Sequence, residues 1–199
     1  NGQSPRSVKR RLSAVKSLYK FLLRVGLVQV DITRSIVAPK TDKPLPLYFR
    51  EGDMQAVKAN QARDWSDEMS DEEQLVHMRD YLIVEMLYQT GMRRAELVGL
   101  KDADVDTRQQ RIRVFGKRAK ERIVPMGETL CELIDEYRTK KQKIVGDQEE
   151  IGTFLVRKYR DGAWGEMNAD TLYNIVRARM GEVSTLEKHS PHVLSHTFA

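Results

Sequence analysis

Between residues 111 and 125 the apolar pattern of this chain leaves the helical period and alternates. Arg111, Ile112, Arg113, Val114 and Phe115 step polar to apolar by twos, and Gly116 follows. After a basic stretch, Arg122, Ile123 and Val124 continue to Pro125. Two alternating runs joined by a short polar segment form a β-hairpin, here with a basic loop. On either side the spacing is helical, so so small a sheet must be covered by helices. The expected fold is therefore α+β, mostly helical, with a small antiparallel sheet around residues 103 to 125.

The helical segments have readable ends. Ser4-Pro5 combines a side-chain cap with proline at the first helical position. Val8, Leu12, Val15, Leu18, Leu22 and Val25 follow at helical spacing, and Gly26 marks the stop. Further helices are expected over 48–62, over a mostly buried stretch from His77 to Gln89 that ends at Thr90-Gly91, and over Arg93 to Leu100, where Gly99 is a weak point. Glu128 to Val145 repeats Leu130, Leu133, Ile134 and Tyr137 on one face. Asp170 to Met180 is another helix, capped by Asn168 or Asp170, and Ser190-Pro191 opens a last one. The acidic stretch Asp64 to Glu73 is expected as a surface loop or short helix. Phe154-Leu155-Val156 is a short apolar run. The sequence contains no internal repeat.

Pro39, Pro44 and Pro46 fall within residues 31–47, a composition that suits an extended linker. A domain boundary is expected there. Residues 1–30 are too few to bury a full core and read as the tail end of a helical domain. Residues 48–199 form the larger domain. Both ends of the 199-residue chain read as cut: it starts without methionine and breaks off in an apolar stretch at Thr197-Phe198-Ala199. The single cysteine, Cys131, excludes an intrachain disulfide. No apolar run approaches the roughly 20 residues needed to span a bilayer, and the start, Asn1-Gly2-Gln3, does not read as a signal peptide. A cytoplasmic, nucleoid-associated location is expected. Net charge is +5 and the pI about 9.3, which permits nucleic-acid binding without requiring it. Arg6, Lys9 and Arg10 on the first helix are candidates for lying against a DNA backbone. For a charge run alone, the solvated face of an amphipathic helix is the favoured explanation.

Three segments occur in a fixed order: Thr90-Gly91-Met92-Arg93-Arg94-Ala95-Glu96-Leu97, then Gly116-Lys117-Arg118-Ala119-Lys120-Glu121-Arg122-Ile123-Val124-Pro125, then Ser190-Pro191-His192-Val193-Leu194-Ser195-His196. Together they resemble the three boxes of the tyrosine recombinase (phage integrase) family, closest to its Xer-like branch. The resemblance extends over most of the chain, from Tyr19-Lys20-Phe21-Leu22-Leu23 and Pro39-Lys40 onward. It implies a DNA breaking-rejoining enzyme, a site-specific recombinase or integrase acting through a 3′-phosphotyrosine intermediate. It also implies double-stranded DNA as partner, a homotetramer on DNA for the full-length protein, and neither cofactor nor metal.

The chemistry explains the residue types. Attack on a phosphodiester builds negative charge on its non-bridging oxygens, and a planar, permanently charged guanidinium answers it in bidentate fashion. The resemblance assigns Arg93 this part. It makes Lys117 the hairpin lysine that protonates the 5′-oxygen, and His192 a sharer of the acid–base work. Glu96 becomes a positioning acid. Lys120 and Arg122 touch phosphate or order the hairpin, with solvated strand ends an equally simple alternative.

At two places the match breaks. The family pattern His-x-x-Arg-His reads His192-Val193-Leu194-Ser195-His196, so Ser195 stands where the second catalytic arginine belongs. Losing such a donor costs roughly 3–4 kcal/mol of transition-state stabilisation. The nucleophilic tyrosine is expected beyond Ala199, since none of the seven tyrosines has the family context. The chain alone is thus expected to be inactive and monomeric. Two other readings stay open: an inactive recombinase-like protein that only binds DNA, and a type IB topoisomerase-like activity.

Overall fold

The computed structural model describes residues 4–40, 51–66, 68–116, 121–146 and 151–182, without the side chains of residues 51 and 63. The chain divides into two compact units, Asn1–Leu45 and Pro46–Ala199.

In the first unit, helix α1 spans Pro5–Arg24. Ser4 caps it, its hydroxyl accepting the Ser7 amide at 3.2 Å, and Pro5 opens it. The helix ends at Gly26, whose φ of 76° is left-handed. There the Leu27 amide reaches back to Leu22 O and the Gly26 amide to Leu23 O. This pair of bonds satisfies carbonyls that the helix end would otherwise leave bare. No residue of α1 is buried, and Val8, Val15, Leu18 and Phe21 are exposed. Residues 32–35 form a turn rather than extended chain. Asp31 accepts both the amide and the hydroxyl of Thr33, and Lys16 Nζ donates to Ile36 O at 2.7 Å. Side-chain acceptors two residues back favour such turns, which proline composition alone does not reveal.

The second unit is built around α3 (Asp71–Thr90), the longest of its helices. Eleven of its residues are buried, including Leu75, Leu82, Ile83, Met86 and Leu87, so it has little polar face. Helices α2 (Glu51–Asp64), α5 (Glu128–Val145) and α6 (Ala169–Gly181) pack on it. Helix α3 starts six residues before the expected His77. Ser70 and Glu73 form a reciprocal capping box, and Asp71 to Glu73 lie in the first turn. Acids there complement the exposed amides of a helix start. The last three residues of the acidic stretch read as a surface segment, Asp71 to Glu73, are therefore the beginning of the central helix.

The hairpin has the expected register. Strands β1 (Val105–Asp106), β2 (Arg111–Phe115) and β3 (Glu121–Pro125) form one antiparallel sheet, with Ile112 opposite Val124 and Val114 opposite Arg122. Ile112, Val114 and Val124 face the core, while Arg111, Arg113, Phe115 and Ile123 are exposed. A second hairpin, β4 (Val156–Lys158) with β5 (Trp164–Glu166), was not visible beyond its apolar lead-in. Phe154, Leu155 and Val156 are fully buried. The Tyr137 hydroxyl accepts the Val156 amide at 3.2 Å and donates to Phe154 O at 3.5 Å, and Arg79 Nη1 donates to Val156 O. Asn168, not Asp170, caps α6, accepting the Thr171 amide at 2.7 Å. The helix expected from Ser190 lies outside the described residues.

Helix α4, Arg94–Val98, is shorter than expected, closing at Gly99. Its placement matters most for function. Gly91 ends α3 in the left-handed region, and fully buried Met92 and Leu97 fasten the segment on either side of Arg93.

Candidate active site

Arg93 is the N-cap residue of α4, held in extended conformation between those two buried anchors. Its backbone amide donates to Glu96 Oε2 at 2.8 Å, and its Nη1 donates to Glu96 Oε1 at 3.1 Å. The Arg93 side chain is nevertheless 72% exposed, against 6% for Glu96. A guanidinium anchored at its base by a buried acid and open to solvent is poised to receive an anion.

Glu96 has a second and stronger partner. Arg122 Nη1 and Nη2 each donate at 2.8 Å, one to Oε1 and the other to Oε2. This fork crosses from β3 to α4, over 26 positions of sequence. Hydrogen bonding from Arg122 first, then from the amide and side chain of Arg93, holds the Glu96 carboxyl down to about 2 against the opposing effect of burial. Glu96 is thus an anion at any ordinary pH. Since one acid serves two arginines, the cluster keeps one net positive charge, and Arg93 is its more exposed member. Arg94 lies over the Tyr173 ring of α6, 5.9 Å from the centroid.

Of the residues expected at a site, the structure brings together Arg93 and Arg122, with Glu96 between them. Lys117 and Lys120 lie outside the described residues, as do His192 and Ser195. The pairing of Phe115 with Glu121 fixes where the loop bearing the two lysines leaves and returns. Arg6, Lys9 and Arg10 are exposed on α1, in the other unit.

Sequence reasoning saw Arg122 as a phosphate contact or a hairpin group, without seeing its partner. A bidentate pair across 26 positions leaves no local signal. Two tyrosines can be removed from consideration as nucleophiles. Tyr81 donates to Glu85 at 2.8 Å, and burial with that carboxylate keeps its hydroxyl protonated far above the usual range. Burial does the same for Tyr137. A cleft of about 400 Å³ between α2, α3 and α5, lined by Lys58, Gln61, Tyr81, Glu85 and Glu136, contains none of the expected site residues. Among the described residues no cluster of three His, Cys, Asp or Glu side chains could hold a metal, and no helix is long and apolar enough to cross a membrane.

Comparison with known proteins bears on this geometry. Residues 55–199 match the model of the phage integrase family. The whole chain is 30% identical to the tyrosine recombinase XerC of Chlorobaculum parvum, covering 61% of it, and 32% identical to XerD of Pseudomonas aeruginosa, covering 62%. The chain thus spans about three fifths of the length of these curated relatives. Among solved structures it resembles the XerH site-specific recombinase bound to difH substrate, with a TM-score of 0.69 at 21% identity over all of this chain and 54% of that one. It also resembles XerA recombinase, at 0.60 and 23%, over 99% of this chain and 68% of the other. A mostly helical fold with a small antiparallel sheet is common to them, and the chain belongs to the phage integrase family, the tyrosine recombinases.

Proposed function

We propose that this chain is the greater part of a site-specific DNA recombinase that breaks and rejoins strands through a 3′-phosphotyrosine. The observation that carries this reading is Arg93: an exposed guanidinium whose backbone and side chain are both tied to a buried carboxylate, beside a basic hairpin. Arg93 binds the scissile phosphate and neutralises charge as it develops in the transition state. Lys117, on the loop between β2 and β3, protonates the leaving 5′-oxygen. His192 shares the proton transfers. The attacking tyrosine is assigned to none of the seven in this sequence. The phosphotyrosine would conserve bond energy, so rejoining needs no nucleotide cofactor. XerH bound to difH substrate and a lambda integrase dimer bound to a core site are relatives in fold that engage DNA. By extension the partner here is duplex DNA. Residues 1–30 are read as part of a core-binding domain, 31–47 as linker and 48–199 as the catalytic domain. The complete protein would act as a tetramer on DNA, and this chain alone would be a monomer.

One feature favours a second reading. Ser195 cannot supply the fork of the second arginine. A protein with that serine could retain DNA binding and lack strand cleavage.

Trapping on a nicked cognate site separates the two. The complete protein, incubated without divalent metal, should give a covalent protein–DNA adduct that Arg93→Ala abolishes. Ser195→Arg should raise its rate by roughly a hundredfold or more, the scale of one lost oxyanion donor. Salt-sensitive binding with no adduct, even after Ser195→Arg, would establish the binding-only reading.

A further inference from the structure

Arg122 projects from β3 on the side of the sheet that faces the core, since its cross-strand partner Val114 and its neighbour two positions on, Val124, are both buried. Its side chain is 39% exposed, but each of its two terminal nitrogens donates to Glu96, which holds the fork against α4. If Arg122 turned to a DNA phosphate, it would leave a carboxylate with 6% exposure short of its main donor. Removing one member of a buried, hydrogen-bonded pair is strongly unfavourable because the remaining charge is stranded. The other arginines of this sheet are spent differently: Arg113 on Asp104 and Arg111 on Asp106, both on the outer face. Among the described arginines of the sheet, Arg122 alone crosses to α4, the helix that Arg93 caps.

Resting on the recombinase reading above, we propose that Arg122 is a positioning residue rather than a DNA contact: through Glu96 it fixes the strand leaving the basic loop to the start of α4. The geometry makes the coupling direct. Oε2 of Glu96 accepts from Arg122 and from the Arg93 amide, and Oε1 accepts from Arg122 and from Arg93 Nη1. The same carboxylate therefore sets the orientation of the Arg93 guanidinium and the position of β3. Strand β3 is the descending arm of the hairpin whose loop carries Lys117. The phosphate-binding arginine and the hairpin are thereby held as one body, where two loosely joined elements would have to be ordered at each turnover.

Three variants test this: Arg122→Met, Arg122→Lys and Glu96→Gln. In the free protein, amide hydrogen exchange at Arg93 and across 121–125 should quicken about tenfold or more in Arg122→Met, the scale of a lost hydrogen bond to a charged group. Arg122→Lys should quicken it nearly as much, because an ammonium cannot form the fork. Glu96→Gln, close in shape, should do likewise if a methionine at 122 prevents folding. On a fixed duplex, the slope of log K against log[salt] should be the same for Arg122→Met as for the parent. In cleavage by the complete protein, the rate at saturating DNA should fall while half-saturation stays in place. Unchanged exchange at Arg93 in a folded variant would overturn the proposal. So would a salt slope reduced by about one in Arg122→Met and restored by lysine, the signature of a phosphate contact. If the parent chain shows no salt-dependent DNA binding, the recombinase reading fails, yet the exchange measurement still decides whether Arg122 clamps Arg93.

Discussion

A carboxylate shielded from water persists as an anion only where donors replace its hydration. Glu96 has four such bonds, and its folded pKa of about 2 lies well below the ordinary 4.5. For a depressed acid, the stabilisation is complete above the unfolded value and is lost as pH falls through the folded one. Unfolding in urea should therefore show the parent more stable than Glu96→Gln by about 2–3 kcal/mol at pH 6, with the gap closing between about pH 4.5 and pH 2. A gap independent of pH would mean that the charge of Glu96 is not what matters. His77 makes the opposite kind of contribution. It is buried against the Trp65 ring, and neither ring nitrogen has a hydrogen-bond partner among the described residues. Burial first and Arg179 second push its pKa below 6.5, while Asp64, Asp80 and Glu182 pull the other way. The protein is then most stable with His77 neutral, above about pH 6.5, and weakens as pH falls from there toward the lower folded value. His77→Phe should remove that acid-side loss, seen as a flatter midpoint between pH 7 and pH 5. Neither environment could be read from sequence. Glu96 was identified as a positioning acid through its box, but its main partner comes from a distant strand, and His77 looked only like the start of a helical run.

At the scale of elements, what the sequence disclosed was pattern, and what it concealed was pairing. Strict alternation located β2 and β3 because one face of each is buried and a register slip would expose it. Strand β5 carries Trp164-Gly165-Glu166, with no apolar alternation, and its identity depends on a partner strand. Gly165 shows why: a Cβ there would lie 2.3 Å from Cε2 of Tyr159, whose ring fills the space above it. The Arg157 guanidinium in turn lies 4.2 Å from the centroid of that ring. Gly165→Ala should displace the exposed Tyr159 ring and destabilise the fold by roughly 0.5–1 kcal/mol, mainly through the lost contact with Arg157. Tyr159→Ala in the same background should recover part of that loss, since it removes the clash. Additive losses would show that the two residues do not compete for the same space. The start of α3 is legible in the sequence. Ser70 and Glu73 have the spacing of a capping box, but the density of acids around them suggested a surface segment. Ser70→Ala should cost about 1 kcal/mol in thermal or urea unfolding.

Across the whole molecule, positive charge is distributed unevenly in its availability. In the second unit, arginines on and around the sheet are held by acids: Arg111 by Asp106, Arg113 by Asp104, Arg122 by Glu96 and Arg138 by Asp102. In the first unit, Arg6, Lys9 and Arg10 are exposed on α1, and among the described residues none has a carboxylate partner. The net +5 of the chain thus understates the charge that α1 can offer a polyanion. Composition could not make this distinction, because it counts charges without their partners. Two explanations of the α1 charges survived the sequence, a solvated face and a DNA backbone contact, and counterion release distinguishes them. Each neutralised phosphate contributes about 0.9 to the slope of log K against log[salt] on duplex DNA. Replacing Arg6, Lys9 and Arg10 together by glutamine should lower that slope by roughly 2.7 if all three meet phosphate, with comparable weakening on duplexes of unrelated sequence. The expected result is a drop of this size. The helix should stay intact by circular dichroism, because glutamine and lysine have similar helix propensity and none of the three side chains is buried. An unchanged slope would return these residues to solvent and leave DNA contact to the second unit.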